Sequence, residues 1–448
     1  MSMKRIRGIF ERETEREASY EPLEGGSERP DGERIEGPDN AFSWTAYSVF
    51  LLLGVAMLWA WNMFLAANPY FQRRFSHNDN LLRNFQSAIM SVSTVGNLGS
   101  MIVLTKLQAR ANYPRRIAAS LVINIVVFTL LALSTRLFLG ISAGVYFTFL
   151  MIMVLSASLA AGLCQNGVFA YVAGFGREEY TQGIMAGQGI AGVLPCIAQI
   201  VSVLSVPPKK EHVDGTPQQS STSAFAYFLT ATVISALALL AFTYLQRIHN
   251  SRVSLSSSTT LPDSTPSRKS IPLTHLFKKL TWLASAVFLT FVITMFFPVF
   301  TQTILSTHNP SSSSRLFQPS SFIPLGFLFW NVGDLLGRMG PAIPSLRLTA
   351  YPKILFLLSI ARAAFVPLYL LCNIGGKGAA VASDFFYLVV VQLLFGVSNG
   401  YLGSSCMMGF VEWVDAEEAE AAGGFMSLCL VGGLTVGSFL SFFVAQVI

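Results

Sequence analysis

FIPLGFLFWNVGDLLGRM, residues 322–339, is long and apolar enough to read as a membrane-spanning helix, yet it carries Asp334 and Arg338 near one end. A spacing of four places both on one helix face, within reach of each other. A charge in hydrocarbon costs on the order of a few kcal/mol, so such residues face a bundle interior or a wet cavity. Trp330 and Asn331 lie one turn earlier and extend the polar stripe. Two readings follow: an ion pair that locks helices together, or the polar lining of a solute path.

The chain around this stretch has 448 residues, 52% of them hydrophobic and only 12% charged, with a mean hydropathy of +0.54. Soluble domains carry roughly a quarter charged residues, so the composition predicts an all-α polytopic membrane protein. The net charge of +6 does not argue for a nucleic-acid partner, because basic residues in membrane proteins gather in cytoplasmic loops. The cysteines, Cys164, Cys196, Cys372, Cys406 and Cys429, all fall inside apolar runs, with no CxxC or CxxH spacing. Neither a disulfide framework nor a zinc site is supported, and no cofactor is expected.

Residues 1–40 are rich in Glu, Arg, Gly and Pro and nearly free of aliphatic side chains, which predicts a disordered tail. No apolar segment follows the basic start, so no cleavable signal peptide is expected. Within the tail, Tyr20-Glu21-Pro22-Leu23 has the Tyr-x-x-apolar form that sorting adaptors read. Eleven apolar runs follow: 43–67, 85–105, 117–135, 145–172, 180–205, 224–246, 281–305, 321–340, 352–373, 383–410 and 419–446. Each is near the roughly 20 residues that a bilayer requires. The Ser, Thr and Pro of 247–280 predict a flexible linker that divides the helices into six (43–246) and five (281–448). With the N-terminus in the cytosol, most Lys and Arg fall in the tail, the 106–116 loop and the linker on that side, as the positive-inside rule requires. The lipid bilayer is thus one partner of the chain.

Several spans hold polar groups that hydrocarbon does not tolerate alone. The first contains Trp59, Trp61 and Asn62; tryptophan often anchors a helix at the interface, but Trp61 adjoins an intramembrane amide. The second carries Ser91, Ser93, Thr94 and Asn97, which suit close packing and a pore lining equally. Gln165 and Asn166 lie deep in the fourth run and can offer donors and acceptors to a base or sugar. Gly187, Gly189 and Gly192 in the fifth allow a neighbouring helix to approach closely. Pro298 in the seventh frees a backbone carbonyl and bends the helix, a break that tends to line transporter cavities. Arg362 in the ninth and Glu420 at the start of the eleventh fall, with Arg338, toward the cytosolic half. These three are expected to form a charge cluster that closes an inner gate.

WN at 61–62, GLCQNGVF at 162–169, EEYTQGIMAGQGIAG at 178–192 and FFPVFTQ at 296–302 occur in this order. FIPLGFLFWNVGDLLGR at 322–338, ARAAFVPLYLLCN at 361–373, SNGYLGSSC at 398–406 and AEAAGGFMSL at 419–428 continue the series. Together they resemble the equilibrative nucleoside transporter family, from about Phe50 to Ile448. The resemblance implies a major-facilitator-like arrangement of six- and five-helix bundles. It also implies facilitative transport of purine and pyrimidine nucleosides, extending to nucleobases in some members, by alternating access. On matching positions, Leu58 and Trp61 would pack on the nucleoside, Gln165 would bond the base, and Asp334 and Arg338 would hold the ribose hydroxyls. Asn331 would support them and Leu434 would close the apolar wall. Ala60 stands where the family often has proline, and Pro195 lies outside its pattern. The Tyr20–Leu23 signal and the absence of an Asn-x-Ser/Thr sequon resemble the vacuolar or lysosomal branch, with the plasma membrane as the alternative.

A proton-coupled symporter using Asp334 or Glu420 is a second reading. An intramembrane enzyme is disfavoured, since the spans hold no HExxH, no Gly-x-Ser-x-Gly elbow and no paired Asp motif.

Overall fold

The computed structural model describes residues 42–108, 111–137, 139–205, 221–257, 271–308 and 314–445. The tail expected over 1–40, with Tyr20–Leu23, lies outside them. Among the described residues the regular elements are helical, and the extended backbone is limited to an isolated bridge between Ile304 and Ile374.

The first part of the chain forms α1 (Trp44–Ala66), a short α2 (Asn68–Phe75), α3 (Asp79–Lys106), α4 (Tyr113–Leu137), α5 (Ala143–Ala173), α6 (Glu178–Ser205) and α7 (Ser221–Ser257). The second forms α8 (Leu273–Thr294), α9 (Phe297–Thr303), α10 (Pro319–Met339), α11 (Pro352–Ala361) and α12 (Phe365–Tyr369). A π-helical stretch, Phe386–Leu393, then runs into α13 (Leu394–Gly409), and α14 (Ala419–Ala445) ends the described chain. Among the described residues, ten helical runs are long and apolar enough to cross a membrane. The helix α10 is not among them, because Asn331, Asp334 and Arg338 hold down its hydropathy. At 21 residues it is still about 30 Å long, the thickness of a hydrocarbon core.

Proline sets the breaks. α8 stops at Thr294, Met295 and Phe296 turn, and Pro298 sits in the first turn of α9, where its missing N–H costs nothing. Pro195 is different, since it lies inside α6 and cannot donate to the carbonyl of Ala191. Asn62 fills that gap: its Nδ2 donates to Ala191 O at 2.7 Å. An amide on α1 thus repairs a helix bond that proline removed from α6.

The expected linker over 247–280 is shorter in the structure. α7 runs on to Ser257 and α8 already begins at Leu273. Its 37 residues make α7 about 55 Å long, so a helix started in the membrane propagates well past it. The serines of 251–257 carry helix because each added turn costs little once nucleated.

α1 packs on α6 and α7, α4 on α5 and α7, and α3 on α5; later in the chain α10 packs on α13, and α8 on α14 and α11. α6 meets α10, and α14 meets α5 and α3. One aromatic core gathers Phe64, Phe71, Phe75, Phe128 and Phe228, and another Phe297, Phe300, Phe322, Tyr369 and Phe395. The tightest seam joins α10 to α13. Gly333 lies against the Leu393 carbonyl and Gly337 against that of Val397; reciprocally, Gly396 meets the Trp330 carbonyl and Gly400 that of Asp334. A methyl group at any of the four would overlap the facing oxygen. Both helices use a Gly-x-x-x-Gly spacing, the pattern that lets backbones touch where lipid offers no hydrophobic drive for association.

Candidate functional site

The α10–α13 seam delivers Asp334 into the bundle. Asp334 is 4% and Arg338 5% exposed, and Arg338 Nε donates to Asp334 Oδ2 at 2.6 Å across one helical turn. Arg338 Nη1 reaches the facing helix α6, donating to Met185 O at 3.1 Å and to Gln188 Oε1 at 3.0 Å. Gly189 makes room, because a side chain there would press on Leu335 and Arg338. The other carboxylate oxygen, Oδ1, accepts from Asn399 Nδ2 on α13 at 2.6 Å. Asn399 Oδ1 in turn accepts from Thr294 Oγ1 at 2.5 Å and Arg362 Nη2 at 3.3 Å. Arg362 donates through Nε to Ser398 Oγ (2.9 Å) and through Nη1 to Thr290 O (2.5 Å), and its guanidinium lies 4.7 Å over the Phe395 ring.

Two arginines thus share one buried carboxylate, one directly and one through an amide. A carboxylate offers about four acceptor positions, and here each oxygen has taken one donor, so acceptor capacity remains on both. Arg338 is held by Nε and Nη1, which leaves Nη2 outside these bonds. Such a group can take the hydroxyls of a polar solute while staying anchored to four helices.

Asn331 lies at the α6–α10 contact, donating to Phe327 O at 2.8 Å, with its Oδ1 in the space that a side chain at Gly192 would need. Trp330 stacks flat on Phe297, ring centroids 4.0 Å apart and 3° from parallel. Gln165 and Asn166 part company. Asn166 accepts from Arg116 Nη1 at 2.6 Å, and Arg116 also donates to Leu104 O and Leu107 O, so it fastens α3, α4 and α5. Gln165, 8% exposed, keeps its amide outside that network. Trp61 is half-buried against the first aromatic core, 6.4 Å from Phe64, whereas Trp59 Nε1 donates to Thr230 Oγ1 and ties α1 to α7. Leu58 and Leu434 are half-buried. Next to Leu58, Met57 Sδ receives Gln188 Nε2 at 3.0 Å, which links α1 to the Arg338 site.

Of the three charges expected to cluster, Arg338 and Arg362 are joined through Asp334 and Asn399. Glu420 instead packs beside Gly174 at the C-terminal end of α5. Further ion pairs lie toward that end of the bundle. Arg347 pairs with Glu178 of α6 and, at 2.9 Å, with Glu412. Lys279 binds Asp415 and Glu418, each at 2.7 Å, and its hydrogen bond holds the Glu418 carboxyl below the usual carboxylate range. Sequence reading passed over Gln188, Thr294 and Asn399. The available signal was the same as for Asp334, a polar group inside an apolar run.

A family model described as nucleoside transporter matches residues 150–259 and 245–446. The nucleoside transporter FUN26 of Saccharomyces cerevisiae is 29% identical over 441 residues, covering 89% of this chain and 83% of that protein. Human equilibrative nucleoside transporter 1 is 28% identical over 456 residues, covering 88% of this chain and 95% of its own length. Equilibrative nucleoside transporter 3 of Rattus norvegicus is 26% identical, covering 90% and 89%. Among solved structures, the major facilitator superfamily transporter FucP in its outward conformation aligns with a TM-score of 0.56 at 14% identity, covering 90% of this chain and 95% of that one. That likeness carries the fold: an all-helical, major-facilitator-like transporter architecture.

Proposed function

We infer from one premise, that this chain belongs to the nucleoside transporter family, that it is an integral multi-pass membrane protein carrying nucleosides by facilitative transport. It is a transporter and not an enzyme. The human and rat relatives named above are equilibrative nucleoside transporters, and the proton-coupled reading is not favoured.

The observation that carries the pocket reading is the buried Asp334–Arg338 pair with acceptor capacity left on both carboxylate oxygens. Asp334 and Arg338 take the ribose hydroxyls, and Asn331 buttresses them from the α6–α10 contact. The free amide of Gln165 bonds the base, while Leu58, Trp61 and Leu434 supply apolar wall. A mostly apolar cavity with a few polar anchors suits a nucleoside. Asn62, Pro298, Arg362 and Glu420 serve the frame that moves around this pocket. Asn62 does so by mending α6 at Pro195, Pro298 by breaking the α8–α9 rod. With α10 counted, the chain crosses the membrane eleven times, in bundles of six and five, with a cytosolic N-terminus.

Uptake into proteoliposomes tests the reading. Saturable uridine and adenosine flux that equilibrates without a proton gradient is the expected result, and the adenine arm asks whether nucleobases pass too. Flux of glucose in place of nucleosides would sink it.

The membrane is proposed to be vacuolar or lysosomal, with adaptors reading Tyr20–Leu23. A fluorescently tagged Tyr20→Ala chain should shift toward the plasma membrane. A distribution identical to wild type would remove the adaptor from the proposal.

A further inference from the structure

Asn399 is 1% exposed and supplies the hydrogen bond that ties Asp334 to another helix. Its amide fits one way round only. Arg362 Nη2 presents a proton and the Asp334 carboxylate can only accept, so the atom facing Arg362 must be the acceptor Oδ1, which aims Nδ2 at the carboxylate; the Thr294 hydroxyl, which also contacts Thr290 O, lies 2.5 Å from that Oδ1. Turned over, the amide would set N–H groups against a guanidinium and an oxygen against a carboxylate. Arg362 cannot drift to relieve that conflict, because Ser398, the Thr290 carbonyl and the Phe395 ring hold it. The backbone cannot drift either, since Gly400 next in sequence is seated on the Asp334 carbonyl. Asp334 is therefore clamped from both sides, Arg338 on Oδ2 and Asn399 on Oδ1, and its carboxylate plane is fixed. One acceptor position on each oxygen is left, a spacing that suits two neighbouring hydroxyls on one sugar ring.

We propose that Asn399 is a positioning residue for sugar selection: by fixing the Asp334 carboxylate it makes the carrier prefer a vicinal 2′,3′-diol over a sugar lacking one. This rests on the Asp334 pocket reading above. A carboxylate free to rotate would still attract hydroxyls but would meet both at once only part of the time. Geometry, not charge, is what Asn399 contributes.

The test is the ratio of KM for 2′,3′-dideoxyuridine to KM for uridine, measured in proteoliposomes for wild type, Asn399→Ala and Thr294→Val. Wild type should prefer uridine by about tenfold or more, the scale of one hydrogen bond to a charged group. Asn399→Ala should lower the ratio several-fold, chiefly by raising KM for uridine, while the Asp334 charge keeps some preference for the diol. Thr294→Val keeps Asn399 and nearly the same volume while removing the hydroxyl beside its Oδ1, and should give an intermediate ratio. Should Asn399→Ala fail to reach the membrane, Thr294→Val decides. Variants that slow both nucleosides by one factor, with the ratio unchanged, would overturn the proposal and leave Asn399 a packing residue. A wild type with no preference would instead overturn the Asp334 reading itself, and that is seen before any variant is made.

Discussion

Replacing Asp334 by asparagine is expected to lower uridine transport efficiency about a hundredfold or more while the protein still reaches its membrane. The side chains are nearly the same size, so packing is kept and the chemistry changes. The new amide keeps one oxygen for Arg338 Nε but turns an NH2 toward Asn399 Nδ2, donor against donor. Both hydroxyl contacts of the ribose lose a charged acceptor, each worth about 1.5–3 kcal/mol, which together exceed two decades in affinity. Stability falls too, because removing one partner of a buried pair leaves Arg338 uncompensated, at about 3–5 kcal/mol. The double variant Asp334→Asn with Asn399→Asp separates the two effects. It returns a carboxylate between the arginines and restores donor–acceptor pairing, with the charge now on α13. Thermal unfolding of the solubilised protein should recover, and uridine transport should not. Wild-type kinetics in the single variant would return Asp334 to the purely structural ion pair.

The stripe at Trp330, Asn331, Asp334 and Arg338 was legible because helical periodicity puts those residues on one face. Many helix ends fall within a few residues of the apolar runs, but α3, α7 and α8 extend beyond theirs, because charge ends a run without ending a helix. What periodicity cannot reach is the partner on another helix. Asn399 and Gln188 look like any small polar residue in a span until the fold sets them against Asp334 and Arg338. Gln165 and Asn166 were read together as one polar patch, yet successive residues point about 100° apart on a helix. That rotation leaves Gln165 free while Arg116 takes Asn166. The inner-gate cluster paired Arg338, Arg362 and Glu420 by depth alone. Depth says nothing of azimuth, and Glu420 turned out to lie on the Gly174 side of α14. One cross-helix feature was written in the sequence and passed unread, the matched Gly-x-x-x-Gly spacings of 333–337 and 396–400.

Those glycines support the other large expected effect. Gly400→Ala should destabilise the solubilised protein and abolish uridine transport, whereas Gly403→Ala, one turn along the same helix, should leave both near wild type. Intrinsic preference alone predicts a small gain at both positions, since alanine in a helix interior is favoured over glycine by about 1 kcal/mol. The surroundings reverse the sign at Gly400. A methyl group there would overlap the Asp334 carbonyl oxygen and crowd the Arg338 nitrogen, both backbone atoms of a rigid helix that cannot swing aside. At Gly403 the methyl would meet only the Phe291 ring, at 3.4 Å, and the end of Met185, at 3.7 Å, which is ordinary contact. Overpacking of this kind costs about 1–3 kcal/mol, and relief requires α13 to move off α10. Such movement stretches the 2.6 Å bond from Asn399 to Asp334, adding about 1.5–3 kcal/mol for a hydrogen bond to a charged group. Stability and transport should therefore fail together at Gly400, because the seam that holds the helices also seats the carboxylate. If the two alanines behave alike, the helices can slide without cost, and close backbone approach is not what places Asp334.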